Sequence, residues 1–432
     1  MGTLRLGTLK PMAALGLVAA LGCRGQSVRV VALPGSPARP MSASADPSIA
    51  RDPESGDLLL TWVGDDGSGW RLYFARSTDQ GASWSDPVQV TVDTGEVKPH
   101  GEASPRLVAG PTGRLAVVWP RDIAVAGRQW PASAIRVARS LDGGRTWLPP
   151  HTVNDDTLAA PVGHNFQGAA WAGDSGLVAA WLDERTGAAP AAHHHDRAAT
   201  AGDPTTEPDA TVYLARSPDF GRTWERNQAT WGGACPCCRI TLARHADGRV
   251  AAAWRHHFPG NVRDVVVADV EPEPGPPERV HPDGWVYPGC PHNGPGFAVG
   301  PDGKRHVVWY TGAGGKVGLY YATVPSTSPG AAPVALVSGS GLPAVHGSVL
   351  GLAGGGAVAA YDAAADGSRA IGVAVMRPGE RVRSAVVPGG AGGLYPQLAA
   401  ASAEAVVMAY TGHDGDRPAL RLARVALPEA DH

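Results

Sequence analysis

The richest chemistry in this chain belongs to its cysteines and histidines. Cys235-Pro-Cys237-Cys238 places three thiols within four residues, and Cys290-Pro-His292 adds a thiol and an imidazole two positions apart. Thiolates beside imidazoles form a soft ligand set that suits copper or zinc. The Cys-x-Cys-Cys spacing is not that of a zinc ribbon, so it does not name the metal. The same sulfurs support two other readings. Cys290 could bridge one of Cys235, Cys237 or Cys238, or Cys237 and Cys238 could form a strained, reducible vicinal bond. With Cys23 set aside, the other four of the 5 cysteines allow three pairings if all are oxidised.

These residues recur at one point of a repeat. His100, His164, Cys235, Cys290 and His346 each stand at or just before a short strand-like run. A Gly turn follows, then an apolar strand ending in Trp62, Trp119, Trp181, Trp254, Trp309, Tyr361 or Tyr410. The next strand reads like Ile135-Arg-Val-Ala-Arg139, and a fourth like Pro87-Val-Gln-Val90. Seven units of roughly 35–65 residues result, within the range of four-stranded propeller blades. The last unit stops after three strands at Val425, and Ser27 to Leu33 reads as the missing fourth. Such a strand would close the final unit and remove an open edge.

Three turns share one motif. Ser77-x-Asp79-x-Gly81-x-Ser83-Trp84, Ser140-x-Asp142-x-Gly144-x-Thr146-Trp147 and Ser217-x-Asp219-x-Gly221-x-Thr223-Trp224 each follow an Ala-Arg that ends a strand. The Asp can accept backbone N–H groups within the turn, and the Gly permits positive φ. The motif resembles the Asp-box (BNR) repeat of the sialidase superfamily of β-propellers. The resemblance implies an all-β propeller of four-stranded blades. The unit count favours seven blades over the usual six. In such a meander the Asp boxes lie on the 3–4 turns. The starts of the inner strands lie on the other face, at the central channel. Cys235, Cys237, Cys238, Cys290, His292, His100, His164 and His346 are then expected to face one shared space there.

The resemblance also implies a test of activity. Sialidases hold a substrate carboxylate with three arginines, attack with a Tyr paired to a Glu, and use an Asp as acid/base. Tyr395, Arg106 and Arg239 occupy matching places on inner strands. The early Arg-Ile-Pro is missing, however, and Asp46-Pro47-Ser48-Ile49 stands there instead. The expectation is a metal or small-ligand binder without sialidase activity. A sialidase-type hydrolase and a disulfide-stapled interaction platform are the alternatives.

Composition narrows the rest. Gly 57 and Pro 39 make up about 22 % of 432 residues, which argues against an all-helical chain. Hydrophobic residues at 43 % can build a large core, and a net charge of −3 gives no attraction for nucleic acid. Arg5 and Lys10 precede an apolar stretch from Met12 to Gly22 that ends at Cys23. It is too short to span a bilayer comfortably and reads as a lipoprotein signal over residues 1–22. Cys23 would then be lipidated and tether one 23–432 domain at a membrane surface in the cell envelope, as a monomer. Its partner would be a small ligand or an envelope protein. His193, His194 and His195 fall in an Ala/Gly/Pro/Thr-rich loop near 186–211 and read as solvated.

Overall fold

The computed structural model describes residues 28–38, 41–128, 130–185, 209–325, 332–338, 344–365 and 368–428. The signal segment, Cys23 and His193 to His195 lie outside the described residues. The fold is all-β, as expected. Among the described residues the only helical element is a single 3₁₀ turn, Gly101–Ala103.

The strands form six antiparallel sheets, five of four strands and one of eight. The first sheet runs Ala43–Arg51, Leu58–Asp65, Trp70–Ser77, Val88–Gln89 in spatial order, a simple meander. The eight-stranded sheet contains two such runs. One ends in Gln228–Ala234 and the other is built on Val250–Phe258, and they are joined at the pair Ala234–His256. In the last sheet Arg29–Leu33 pairs with Arg417–Ala426, with Arg29 opposite Ala426 and Leu33 opposite Leu422. The next strand inward, Ala405–Asp414, contains Tyr410. The N-terminal segment therefore completes the sheet that the C-terminal strands leave one strand short.

Packing explains the composition of the second strands. In Val250-Ala-Ala-Ala-Trp254 every residue is fully buried, because sheets cover both faces. The small residues let neighbouring sheets approach. The aromatic that ends each run fills the wider gap between them. Trp62, Trp119, Trp181 and Trp254 are all fully buried. Each removes about 200 Å² from water, worth up to about 5 kcal/mol. One apolar core joins Val108, Val118 and Ile135 to Leu177, Ala179 and Trp181 of the following sheet. Another joins Ile49, Leu58 and Leu60 of the first sheet to Ala399, Val407 and Leu422 of the last.

Candidate functional site

The two ends of one strand separate structure from chemistry. In Ala210–Ser217, Ala210 pairs with Ala234 beside Cys235, whereas Ser217 opens the third Asp box. Seven steps of about 3.3 Å put these ends roughly 23 Å apart. Each box is a closed hydrogen-bonded turn. Asp142 accepts from the Thr146 amide at 3.0 Å, the Thr146 hydroxyl at 2.6 Å and the Ser140 hydroxyl at 2.8 Å. Ser140 Oγ accepts from the Gly144 N–H at 2.8 Å. Gly144 has φ 89°, and a Cβ there would collide with Phe74. Asp79 and Asp219 make the same bonds to Ser83 and Thr223. The Thr146 hydroxyl and amide hold the Asp142 carboxyl down at about 2. These carboxylates are spent on their own turns.

At the other end lies the thiol cluster. Cys235 is anchored by its N–H, which donates to Arg255 O at 2.9 Å. Its Sγ lies 4.0 Å from Cys237 Sγ and 3.6 Å from Cys238 Sγ, and the three sulfurs lie within 4.8 Å of one another. All three residues are at most 2 % exposed. Arg263 donates to Cys235 Sγ at 3.1 Å, and the Asn293 N–H donates to Cys238 Sγ at 3.4 Å. Half-buried Cys290 hydrogen-bonds Cys237. None of the four forms a disulfide. The expected bridge from Cys290 is therefore not formed in this structure. Burial pushes the Cys235 thiol up, but its bonds with Cys237 and Cys238 and the charges of Arg263 and Arg255 pull it well below the usual range. Burial and the neighbouring Cys235 push Cys237 and Cys238 well above it.

A second group of residues surrounds the starts of the inner strands. Four inner strands carry a bulge there, between Ala45 and Ser48, Asn165 and Gly168, Val345 and Ser348, and Leu394 and Gln397. Each bulge holds a non-glycine residue at positive φ: Asp46 at 52°, Phe166 at 59°, His346 at 51° and Tyr395 at 53°. His292 shares the conformation at 46°. This backbone is costly for side-chain-bearing residues and clusters at functional positions. Asp46 accepts the His100 N–H in a short bond. Burial raises its carboxyl to about 6, against that bond and the charges of His100 and Arg106. Buried Glu102 pairs with buried Arg239 and accepts the Gly294 N–H at 2.9 Å. Burial raises Glu102, but Arg239, His346 and two backbone N–H groups outweigh it and hold the carboxyl low. His346 Nδ1 lies 2.7 Å from Asp362, and its ring lies 4.1 Å from that of Tyr395. Burial, then Glu102, Asp362 and Asp46, push the Tyr395 hydroxyl well up. Arg106 is brought down to about 10 by burial and by Arg239.

The expected shared Cys/His set resolves into separate groups. Cys235, Cys237 and Cys238 come together, with Cys290 against them. His292 and His100 instead pack on Phe166, at ring separations of 6.2 and 5.6 Å. His346 is held by Asp362. His164 is buried with Nδ1 2.6 Å from Ser133 O and Nε2 3.1 Å from Asp156. A carboxylate next to a buried imidazole explains that placement without a metal. Of the residues matched to sialidases, Arg239 is bound to Glu102 and donates to Gly347 O at 2.7 Å. Arg106 reaches Gln397 at 3.5 Å, and Tyr395 lies on His346. Phe166 and Asp362 are not among the residues the sequence singles out, and Asp46 stands out there only as the replacement for an expected arginine. Position could have found two of them, because Asp46 and Phe166 occupy the point of the repeat that His346 and Tyr395 occupy.

No family model matches this chain, and no curated protein matches it. Solved structures do, at low identity. The chain is 12 % identical to the BP39L lectin from Burkholderia pseudomallei, covering 89 % of this chain and 96 % of the lectin, with a TM-score of 0.58. It is 12 % identical to an ulvan lyase of polysaccharide lyase family 25, bound to a GlcA–Rha3S unit, covering 91 % and 95 % with a TM-score of 0.56. A Dyadobacter fermentans protein of unknown function is 13 % identical over 93 % of this chain and all of that one, with a TM-score of 0.50. At this identity the likeness concerns the fold alone, and it is the all-β, propeller-type fold described above.

Proposed function

We propose that this chain is a seven-bladed propeller that binds one soft metal ion, copper or zinc, at Cys235, Cys237 and Cys238. The blade count rests on reading the eight-stranded sheet as two blades meeting at Ala234–His256. The core between the first and last sheets supports a closed ring. One observation carries the metal reading: three buried cysteine sulfurs, in no disulfide, lie within 4.8 Å of one another. Metal–sulfur bonds of about 2.3 Å place two ligands of one ion about 3.8–4.0 Å apart. The observed 4.0 Å lies at that span, and 3.6 Å is slightly shorter than it. Metal binding needs thiolates, and a bound cation would offset the negative charge of three buried sulfurs.

Sialidase activity is not part of this reading. Arg239 is committed to Glu102, and Asp46 stands where the family's first arginine is expected. Cys23 is read as the lipid anchor, and Cys23→Ser should move the protein from the membrane to the soluble envelope fraction.

Elemental analysis with thiol counting tests the metal reading on protein purified under reducing conditions. Cys237→Ser should lower metal affinity about 100-fold or more, since one ligand of a small set is lost. Reduced protein that takes up neither copper nor zinc would overturn it.

A further inference from the structure

We propose that the ion is monovalent copper held by three sulfurs, with Cys290 outside the set as the ligand that passes the ion in and out. This rests on the metal reading above and specifies it.

Coordination number comes first. Zinc in a closed site takes four ligands in a tetrahedron. Among the described residues the mutually close set contains three, and neither Cys290 nor any His or carboxylate belongs to it. Cys290 touches Cys237 without being near all three sulfurs. A tetrahedral all-sulfur site would have to bring Cys290 within reach of all three sulfurs, whereas a trigonal site uses the set already together. An all-sulfur set suits copper or zinc, and three sulfurs, one fewer than the zinc tetrahedron, favour monovalent copper.

Charge agrees. Three thiolates and one monovalent cation carry −2. Arg255 and Arg263, each at most 1 % exposed, supply +2. Arg255 donates to the carbonyls of Asn293, Arg263 and Tyr310, and among the described residues it has no carboxylate partner. A buried guanidinium surrounded by neutral acceptors needs a counter-charge nearby, and the thiolates provide it.

Access then assigns Cys290. The three ligands are buried, but Cys290 is half-exposed and follows a loop in which Val286 and Tyr287 are exposed. A donor thiolate carrying copper meets Cys290 first. The Cys290–copper bond forms as the donor–copper bond breaks, and the Cys290 proton leaves on the donor thiol. Cys237 then takes the ion from Cys290 by the same exchange, its proton passing to the Cys290 sulfur. The Cys235 and Cys238 sulfurs close on the ion, any thiol proton they carry leaving to solvent. Copper stays monovalent throughout.

The test titrates the reduced full chain with monovalent copper from a bicinchoninate complex. Coordination is read by X-ray absorption and transfer by stopped flow. Three sulfur neighbours are expected. Cys290→Ser should keep the stoichiometry and stay within about 3-fold in affinity, while transfer slows about 10-fold or more. Four sulfur neighbours, a Cys290→Ser protein that loses the ion, or one that exchanges at the parent rate would each overturn the proposal. The spectrum of the parent protein decides coordination even if the variant fails to fold. Binding of zinc with four sulfurs would sink this inference alone. Binding of neither ion would sink the metal reading beneath it.

Discussion

The Asp-box turns and the inner-strand starts are opposite ends of the same units, and they manage polar groups in opposite ways. At the boxes the same bonds recur at Asp79, Asp142 and Asp219, near solvent, with each carboxylate satisfied by its own turn. At the inner ends each unit differs. Asp46, Glu102, Arg239, Asp362 and the three cysteines are all buried, and Asp46 and Glu102 find their partners in distant segments. Glu102 and Arg239 are 137 residues apart. Repetition marks what the fold needs of every unit. Departure from it, combined with burial of charge, marks what one particular protein keeps at a cost.

The sharpest way to break this comparison is to remove a charge at the inner end. Glu102→Ala leaves Arg239 buried without its carboxylate and also strips the acceptor for the Gly294 N–H. Breaking a buried pair from one side costs about 3–5 kcal/mol. Denaturant unfolding should show a loss of that size. A loss under about 1 kcal/mol would mean that water reaches the pair, and the contrast between the two ends would fail.

A smaller effect, of opposite sign, is expected at Asp46. Its folded carboxyl titrates at about 6, above the ordinary 3.8, because burial disfavours the charge. A group raised in the folded state stabilises when protonated, and that contribution is lost as pH rises from about 4 to 6. Asp46→Asn should therefore be more stable than the parent at pH 7 by about 1–3 kcal/mol, with the gap closing below pH 4. Thermal unfolding at pH 4 and pH 7 checks it. A variant less stable at both would show that the bond to the His100 N–H outweighs the burial penalty.

The same contrast governs what the sequence discloses. The boxes were legible because S-x-D-x-G-x-[ST]-W is local: every partner of Asp142 lies within four residues. The repeated aromatics were legible because each sits in the second strand of its unit, but they do not end it: Leu58–Asp65 runs past Trp62 and Val250–Phe258 past Trp254. Cys235 to Cys238 were legible as a cluster because three thiols share four residues. The histidines were read too generously. His164 shares a repeat position with His346, but it is held by Ser133 and Asp156. Phe166 carries no ionisable group, so only its position in the repeat points to its place between His100 and His292. Arg263 reaches Cys235 across 28 residues of the same unit, and its partnership and that of Arg255 with this thiol have no local signature.

The smallest effect belongs to the repeated end. Asp142→Ala removes acceptors for the Thr146 amide and hydroxyl and for the Ser140 hydroxyl. These donors lie near solvent, so water replaces much of what is lost. The expected destabilisation is about 1–2 kcal/mol, similar to the loss of a helix N-cap. Because the box lies at the strand end opposite the thiols, copper stoichiometry and affinity should not change. The Asp142 carboxyl titrates at about 2, below its unfolded value. Its contribution is therefore present above pH 4 and lost as pH falls toward 2, so parent and variant should converge in acid. Unfolding at pH 7 and pH 2.5, beside a copper titration at pH 7, reads all three outcomes. Weaker copper binding at unchanged stability would place the boxes in the site and erase the distinction between the two ends.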